Sequence, residues 1–155
     1  MRIIYLHQYF NTPSMPGSTR SFEMARRLVA MGHEVNVVSS WREHCSQKQC
    51  FDTIESGIKI HWLPVPYSNR MSFKERIYAF FSFAFKSAHY SASLESDLVF
   101  ATSTPLTIAL PAVYASFKLK IPMVFEVRDL WPEMPIAIGA LRHPFLKLIA
   151  RILEL

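Results

Sequence analysis

An α/β fold built on a parallel sheet is predicted by three features of this 155-residue sequence. Short apolar runs of strand type alternate along the chain with longer segments of helical spacing. The first two runs, residues 3–6 and 34–38, enclose an amphipathic segment within about forty residues, the span of a strand–helix–strand unit of a parallel sheet. Half of the residues are hydrophobic, which is enough for the core of one domain.

The first elements of the chain can be placed in order. Residues 3–6 predict a buried strand, because the run is apolar and a polar loop follows at once. A helix comes next, with Ser18 or Thr19 available to cap its start, and it ends at Gly32. Residues 34–38 predict the second strand.

The middle of the chain contains one strand and one long helix. Residues 41–56 are polar, and we predict no regular structure there. The alternation of residues 58–63 predicts a third strand, which Pro64 and Pro66 end. Residues 72–93 lack proline and glycine and predict a long helix with aromatic side chains on more than one face.

The remaining elements complete the alternation. Residues 97–102 predict a fourth strand, residues 106–118 a helix and residues 122–127 a fifth, nearly apolar strand. A last helix is predicted to begin near His143 and to carry apolar residues at helical spacing as far as Leu153. The sequence therefore predicts a Rossmann-like parallel sheet with helices on both faces.

The charge of the chain favours an anionic partner. Basic residues outnumber acidic ones by 17 to 12, for a net charge of +5, which suits a phosphate group, a nucleic acid or a membrane surface. Nucleic acid is the weakest of these, since the basic residues are dispersed and match no recognition motif. Cys45 and Cys50 lack companion ligands, which predicts reduced thiols in a cytoplasmic protein without a metal site.

The loop after the first strand is the first candidate site, because ligands of an open parallel sheet bind outside the carboxyl ends of its strands. Gly17 allows a ligand to approach the backbone, Ser18 and Thr19 place hydroxyls at a helix start, and Arg20 adds a guanidinium group. This pattern predicts an anion site for a diphosphate. In the alternative interpretation, the glycine only makes a turn and a hydroxyl only caps the helix.

Two common nucleotide sites are disfavoured by their missing motifs. A dinucleotide site needs G-x-G-x-x-G in this turn and an acidic residue after the second strand, and neither is present. A P-loop needs a glycine followed by Lys-Ser or Lys-Thr, and that motif is also absent. The sequence therefore disfavours redox and nucleoside-triphosphatase activities.

The densest polar cluster follows the fifth strand, in residues 126–133. A carboxylate such as Asp129 can hold or deprotonate an acceptor hydroxyl, and the flat face of Trp131 can stack on a sugar ring. Glu126 lies within an apolar strand and requires a partner, and Arg128, on the same face, is the predicted one. The alternative is a structural Arg–Asp pair with Trp131 in a packing role.

A further strand end carries hydroxyl groups. Ser103 and Thr104 follow the fourth strand at another helix start, where capping is their favoured role and a ligand contact is the alternative.

Several segments together resemble family 4 glycosyltransferases of the GT-B fold. They are Met1-Arg2-Ile3-Ile4-Tyr5-Leu6, Ala25-Arg26-Arg27-Leu28, Gly32-His33-Glu34-Val35 and Asp129-Leu130-Trp131-Pro132-Glu133. Within the family, the chain is similar to fucosamine or N-acetylaminosugar transferases of bacterial O-antigen or capsule assembly. The resemblance covers essentially the whole chain.

The resemblance implies an enzyme of two domains, one on the acceptor side and one that binds the donor. Residues 1–155 would form the N-terminal, acceptor-side domain, and the donor-binding C-terminal domain would be absent from this chain. The implied reaction is a retaining transfer from a nucleotide-sugar, with a UDP-sugar favoured and no metal or other cofactor. The implied acceptor is linked to undecaprenyl diphosphate at the cytoplasmic face of the inner membrane. The fragment alone is then expected to be inactive.

The resemblance also assigns residues. The loop of Gly17, Ser18, Thr19 and Arg20 would approach the donor diphosphate when the domains close. Many family members carry a histidine just after the fifth strand, where this chain has Arg128 and Asp129, and these two are therefore assigned as the catalytic residues. The predicted acceptor-binding residues are His7, Ser103, Thr104, Trp131 and Glu133.

Residues 70–86 combine basic side chains with several phenylalanines. This composition predicts an interfacial helix in peripheral contact with the inner membrane, too interrupted by charge to span a bilayer. The alternative is a core helix with Lys74, Arg76 and Lys86 facing water. At the level of the whole chain, the alternative to a transferase is a stand-alone nucleotide or sugar-phosphate binding module without catalysis.

Overall fold

A computed structural model describes residues 1–42, 49–68, 70–103, 105–128 and 144. Apart from residue 144, the predicted last helix lies outside the described residues, as do the site residues Thr104, Asp129, Trp131 and Glu133. The strands and helices are, in chain order, β1 (Arg2–Leu6), α1 (Arg20–Ala30), β2 (Glu34–Trp41), β3 (Phe51–Glu55), β4 (Ile58–Pro64), α2 (Phe73–Ser91), β5 (Leu98–Thr102), a 3-10 helix (Leu106–Ile108), α3 (Ala109–Leu119) and β6 (Met123–Glu126).

The described strands form one sheet in the order β3–β4–β2–β1–β5–β6. β1 lies at its centre and pairs in parallel with both β2 and β5, so that Ile3 is opposite Val35 on one side and Leu98 on the other. The pairs β2–β4 and β5–β6 are also parallel. This arrangement confirms the predicted Rossmann-like parallel sheet.

Helices cover both faces of the sheet, as predicted. On one face, α1 packs Phe22 and Ala25 into a cluster with Tyr5, Val37 and Ile60. On the other face, residues of α2 and α3 form a second cluster with side chains of β1, β2, β4 and β5, and this cluster includes Phe83, Ala112, Ile4, Val38, Leu63 and Val99. Because the central strand β1 is buried on both sides, its sequence is a nearly continuous apolar run.

The prediction of irregular structure for residues 41–56 was wrong at both ends. β2 continues to Trp41, and β3 forms an antiparallel edge strand on β4. β3 and β4 are joined by a tight turn in which Ser56 and Gly57 have φ of 51° and 78°. Two-residue hairpins require this left-handed conformation. β3 was missed because an edge strand that exposes most of its residues has the polar composition of a loop.

We expect Gly57→Ala to lower the free energy of unfolding by about 2 kcal/mol, because a side chain is strained in this left-handed conformation. A Cβ atom at position 57 would also lie 2.9 Å from Cγ1 of Val29 on α1. Urea unfolding measures the loss. In a Val29→Ala background the penalty should fall to about 1 kcal/mol, since only the backbone cost remains; equal penalties in both backgrounds would exclude the contact with Val29.

Candidate functional site

Polar side chains gather where the parallel strands end, and we call this group the carboxyl-edge site. It consists of His7 after β1, Arg42 after β2, Ser103 after β5, Arg128 after β6 and Arg20 at the start of α1. Parallel strands bring these ends to one edge, where loops and helix N-termini converge. The backbone continues the pairing there: His7 N–H donates to Val38 O at 3.2 Å, and Ser103 N–H to Glu126 O at 2.8 Å.

The side chain of Asn11 holds the predicted diphosphate loop in place by hydrogen bonds within the loop and to Arg42. The amide Nδ2 of Asn11 donates to Ser18 O at 3.3 Å, and its Oδ1 accepts from the guanidinium of Arg42. Gly17 has φ of +126°, and a Cβ atom there would lie 2.5 Å from Nδ2 of Asn11. The loop therefore needs glycine for its own packing, and Gly17 and Ser18 remain exposed toward solvent.

The start of α1 is not capped as expected. Thr19 occupies the N-cap position, but its side chain makes no capping hydrogen bond. Ser18 Oγ accepts from Arg20 N–H, at 3.4 Å. The helix thus presents the positive end of its dipole at the carboxyl-edge site without a capping bond from its N-cap residue, and such helix N-termini bind anions.

Glu126 is paired with Arg20 and not with Arg128, which corrects the partner predicted from the sequence. The guanidinium of Arg20 forms an ion pair with one carboxylate oxygen, and the hydroxyl of Thr102 donates to the other. Burial favours the neutral acid, but the hydrogen bonds from Thr102 and Arg20, with the charges of Arg20 and Arg128, hold the pKa of Glu126 below its usual value. The pair joins α1 to the ends of β5 and β6.

Ser103 ties two strand ends together. Its buried hydroxyl oxygen accepts from Arg128 N–H at 2.8 Å. The 3-10 helix that follows begins after Pro105 without a side-chain cap, so the predicted capping role of this hydroxyl was wrong. Ser103 instead fixes the backbone of Arg128, whose side chain is exposed at the end of β6.

His7 is the buried ionisable group of the carboxyl-edge site. His7 is 5% exposed, and among the described residues its buried Nδ1 atom has no hydrogen-bond partner. The pKa of His7 is lowered from 6.5 to about 4, chiefly by burial and next by the charge of Arg128; Arg42 and Arg20 also lower it, and Glu126 raises it. The imidazole is therefore neutral at physiological pH and suited to hydrogen bonding with a ligand hydroxyl more than to proton transfer.

Two contributors were missed in the sequence, Arg42 and Asn11. The carbon atom Cζ of Arg42 lies 5.9 Å from the centre of the Tyr9 ring, and its guanidinium donates to Asn11. Arg42 directly follows the second strand, so the rule that ligands gather at strand ends could have found it. Asn11 carries no comparable signal, because its role depends on how the loop folds back.

The arrangement is suited to an anionic ligand. Three guanidinium groups, of Arg20, Arg42 and Arg128, act on one buried imidazole, and an uncapped helix start and an exposed glycine loop lie beside them. Guanidinium groups and backbone N–H groups are the usual partners of phosphate oxygens. Within the described part of the chain, no three His, Cys, Asp or Glu side chains are grouped for a metal ion.

Comparison with known proteins identifies the family. Residues 17–153 match the glycosyl transferase 4-like domain, so the chain belongs to that family. The protein is accordingly a glycosyltransferase domain, as the resemblance had implied. No curated protein sequence matches the chain.

Two solved structures with low sequence identity share the fold. The C-terminal domain of the PF1911 hydrogenase of Pyrococcus furiosus is 16% identical, with a TM-score of 0.57 over 81% of this chain and 90% of that chain. The catalytic domain of starch synthase IV of Arabidopsis thaliana, bound to ADP and acarbose, is 12% identical, with a TM-score of 0.57 over 83% of this chain and 34% of that chain. At these identities the likeness shows the fold alone, and with the family match it confirms the predicted GT-B class.

Acidification should destabilise the protein through His7. Between pH 6.5 and pH 4 the unfolded chain binds a proton that the folded His7 does not, so the free energy of unfolding should fall by about 3 kcal/mol over this range. Urea unfolding at several pH values measures the slope. His7→Gln is the control and should show a shallower slope between pH 6.5 and pH 5, above the range in which Glu126 titrates; equal slopes would contradict the depressed pKa.

Proposed function

We propose that this chain is the acceptor-side half of a retaining glycosyltransferase. It would transfer a sugar from a nucleotide-sugar to a lipid-linked acceptor during assembly of a bacterial surface polysaccharide, such as O-antigen or capsule. The observation that supports the proposal best is the group of Arg20, Arg42 and Arg128 beside the uncapped start of α1, within a domain of a glycosyltransferase family.

A nucleoside-diphosphate sugar suits this group of charges. The structurally similar starch synthase IV catalytic domain was determined with bound ADP, and this chain spans 34% of that chain. In the proposal, a UDP-sugar is the favoured donor, its nucleotide is held by a separate C-terminal domain, and the Gly17 loop reaches only the diphosphate. The proposed reaction uses no metal or other cofactor, with the arginines neutralising the leaving diphosphate.

The residues around the diphosphate have different proposed roles in the transfer reaction. The bond between the anomeric carbon and the diphosphate breaks, the acceptor oxygen bonds to that carbon, and the acceptor proton passes to the carboxylate of Asp129. Arg128 stabilises the charge that develops on the diphosphate. The neutral imidazole of His7 holds a sugar or acceptor hydroxyl. The other proposed acceptor contacts are Ser103, Thr104, Trp131 and Glu133.

The acceptor of this proposal is linked to undecaprenyl diphosphate, which places the protein at the cytoplasmic face of the inner membrane. Among the described helices none is both long and apolar enough to cross a bilayer. Contact would therefore be peripheral, through residues 70–86, where Phe73, Tyr78, Phe81 and Phe85 are exposed on α2.

Assay of the enzyme that contains this domain tests the proposal. Radiolabelled sugar should pass from a UDP-sugar to a lipid-diphosphate acceptor with retention at the anomeric carbon, and the 155-residue chain alone should be inactive. The competing function is a nucleotide or sugar-phosphate binding module. Tight binding of a nucleotide-sugar by the chain alone, with no transfer by the enzyme to any acceptor of a panel, would replace our proposal with that function.

Arg20→Ala should weaken donor binding by the enzyme by about 10- to 100-fold, because it removes a charge-assisted contact to the diphosphate and leaves the negative charge of Glu126 without its ion-pair partner. Calorimetric titration with UDP measures the change. Arg27→Ala is the matched control, since Arg27 is exposed on the same helix and pairs with Glu23, away from the carboxyl-edge site. Equal effects of the two substitutions would remove Arg20 from the donor site.

Asp129→Asn should lower kcat of the enzyme by at least about 100-fold, the contribution expected of a general base, while the Kd for UDP stays within about twofold. Steady-state transfer assays and UDP titration separate the two quantities. Unchanged turnover would exclude Asp129 as the acceptor-side carboxylate, and a parallel loss of UDP affinity would indicate a structural role.

A further inference from the structure

The outer surface of α2 and α3 exposes large apolar side chains that the fold does not use. On α3 they recur at positions 110, 113, 114 and 117, one stripe of a helix, and Phe117 is 85% exposed. The opposite side of α3 packs on the sheet through Pro111, Ala112 and Ala115. We call the exposed set the two-helix face; its members are Phe73, Ile77, Tyr78, Phe81, Phe85, Leu110, Val113, Tyr114 and Phe117.

The two helices form one continuous surface. The rings of His89 on α2 and Tyr114 on α3 stack with centroids 5.7 Å apart. Beside them, a shallow cavity of about 360 Å³ runs between the helices and is lined by Phe81 and Phe85 from α2 and by Leu110 from α3. The apolar stripes of α2 and α3 therefore meet and are not two separate patches.

Basic residues accompany this surface. The two helices contain four basic residues, Lys74, Arg76, Lys86 and Lys118, and one acidic residue, Glu75. The carboxylate of Glu75 is engaged by the backbone N–H of Ser72 at 2.7 Å, in a capping box at the start of α2. Lys74, Lys86 and Lys118 are exposed, so the charge presented around the apolar surface is positive.

Exposed aromatic side chains with exposed lysines nearby fit an anionic bilayer surface. Aromatic rings enter the boundary between head groups and acyl chains, while lysines attract anionic head groups. A contiguous apolar patch of this kind is unusual on the surface of a monomer and marks an interaction site. A protein partner would require a complementary acidic rim, whereas anionic lipid supplies negative charge at every position along the face.

We propose that α2 and α3 together lie on an anionic membrane surface, with the groove between them taking up lipid hydrocarbon. This inference rests on the membrane contact of the proposed function and deepens it, because α3 becomes an equal part of a contact first assigned to residues 70–86. Its distinctive consequence is that Phe117, 32 positions after Phe85 in the sequence, anchors the protein to lipid.

Vesicle co-sedimentation of the 155-residue chain tests the inference, with phosphatidylcholine vesicles that contain or lack phosphatidylglycerol. The chain should bind the anionic vesicles more tightly, and high salt should weaken this binding. Phe81→Ser on α2 and Phe117→Ser on α3 should each lower the vesicle partition coefficient about tenfold, the loss expected from one inserted ring. Ile54→Ser on β3 is the control, since Ile54 is 74% exposed but lies off this face.

The outcomes separate the inference from the function on which it rests. If Phe81→Ser weakens binding and Phe117→Ser equals the unchanged chain, α2 alone contacts the membrane and the two-helix inference is overturned. If the unchanged chain binds neither vesicle, both membrane contacts are overturned, while sugar transfer to a soluble acceptor analogue can still proceed. Analytical ultracentrifugation covers the remaining case: a dimer that Phe117→Ser dissociates would assign the face to a second copy of the chain and overturn the inference. Unchanged thermal unfolding of both variants verifies that the fold is intact.

Discussion

The ion pair between Arg20 and Glu126 holds together the parts of the molecule that bear on its function. Arg20 begins α1, the helix that follows β1. Glu126 ends β6, which lies two strands from β1 in the sheet. Thr102, at the end of β5, completes the contact through the second carboxylate oxygen. A partly buried carboxylate would be costly without these donors.

The same pair also limits what each charge can do. Because Glu126 already neutralises part of the charge of Arg20, the attraction for an anion depends on all three guanidinium groups acting together. The pKa of His7 reflects the excess of positive charge, because the cations near it lower this pKa more than Glu126 raises it. The carboxyl-edge site is thus electropositive around a neutral, buried imidazole. This combination favours a diphosphate next to a hydroxyl, as a donor and its acceptor would present.

Most of the fold could be predicted from local sequence patterns. Parallel strands buried on both faces are apolar runs, and the helices between them carry their own stripes, so each element has a signal within its own residues. β3 had no such signal. Its identity as a strand depends on pairing with β4 and on the hydrogen bond from Trp62 Nε1 to Thr53 Oγ1, at 2.9 Å. Edge strands with exposed polar residues are defined by their partner.

The site was predicted less completely than the fold. The rule that ligands gather at strand ends identified His7, Arg20, Ser103 and Arg128, which the structure does bring to one edge. The rule could not identify which of these side chains form ion pairs or hydrogen bonds with each other. Glu126 and Arg128 are two residues apart, yet the backbone of Arg128 turns to Ser103, and Arg20 arrives from a distant helix. Partners of this kind depend on how loops fold back, which spacing along the chain does not encode.

The carboxyl-edge site and the two-helix face are connected by aromatic side chains. The guanidinium of Arg42 lies near the ring of Tyr9, which packs on Tyr67 at 5.1 Å between centroids; Tyr67 in turn stacks on Phe80 of α2 at 5.8 Å. α2 follows β4, whose carboxyl end lies at the same edge as the site, so the helix starts beside the site and extends away from it. A membrane contact along α2 and α3 would therefore hold the site next to the head groups. A lipid-linked acceptor could then present its hydroxyl beside the donor diphosphate at the arginines without leaving the bilayer, and the aromatic contacts would keep that distance fixed.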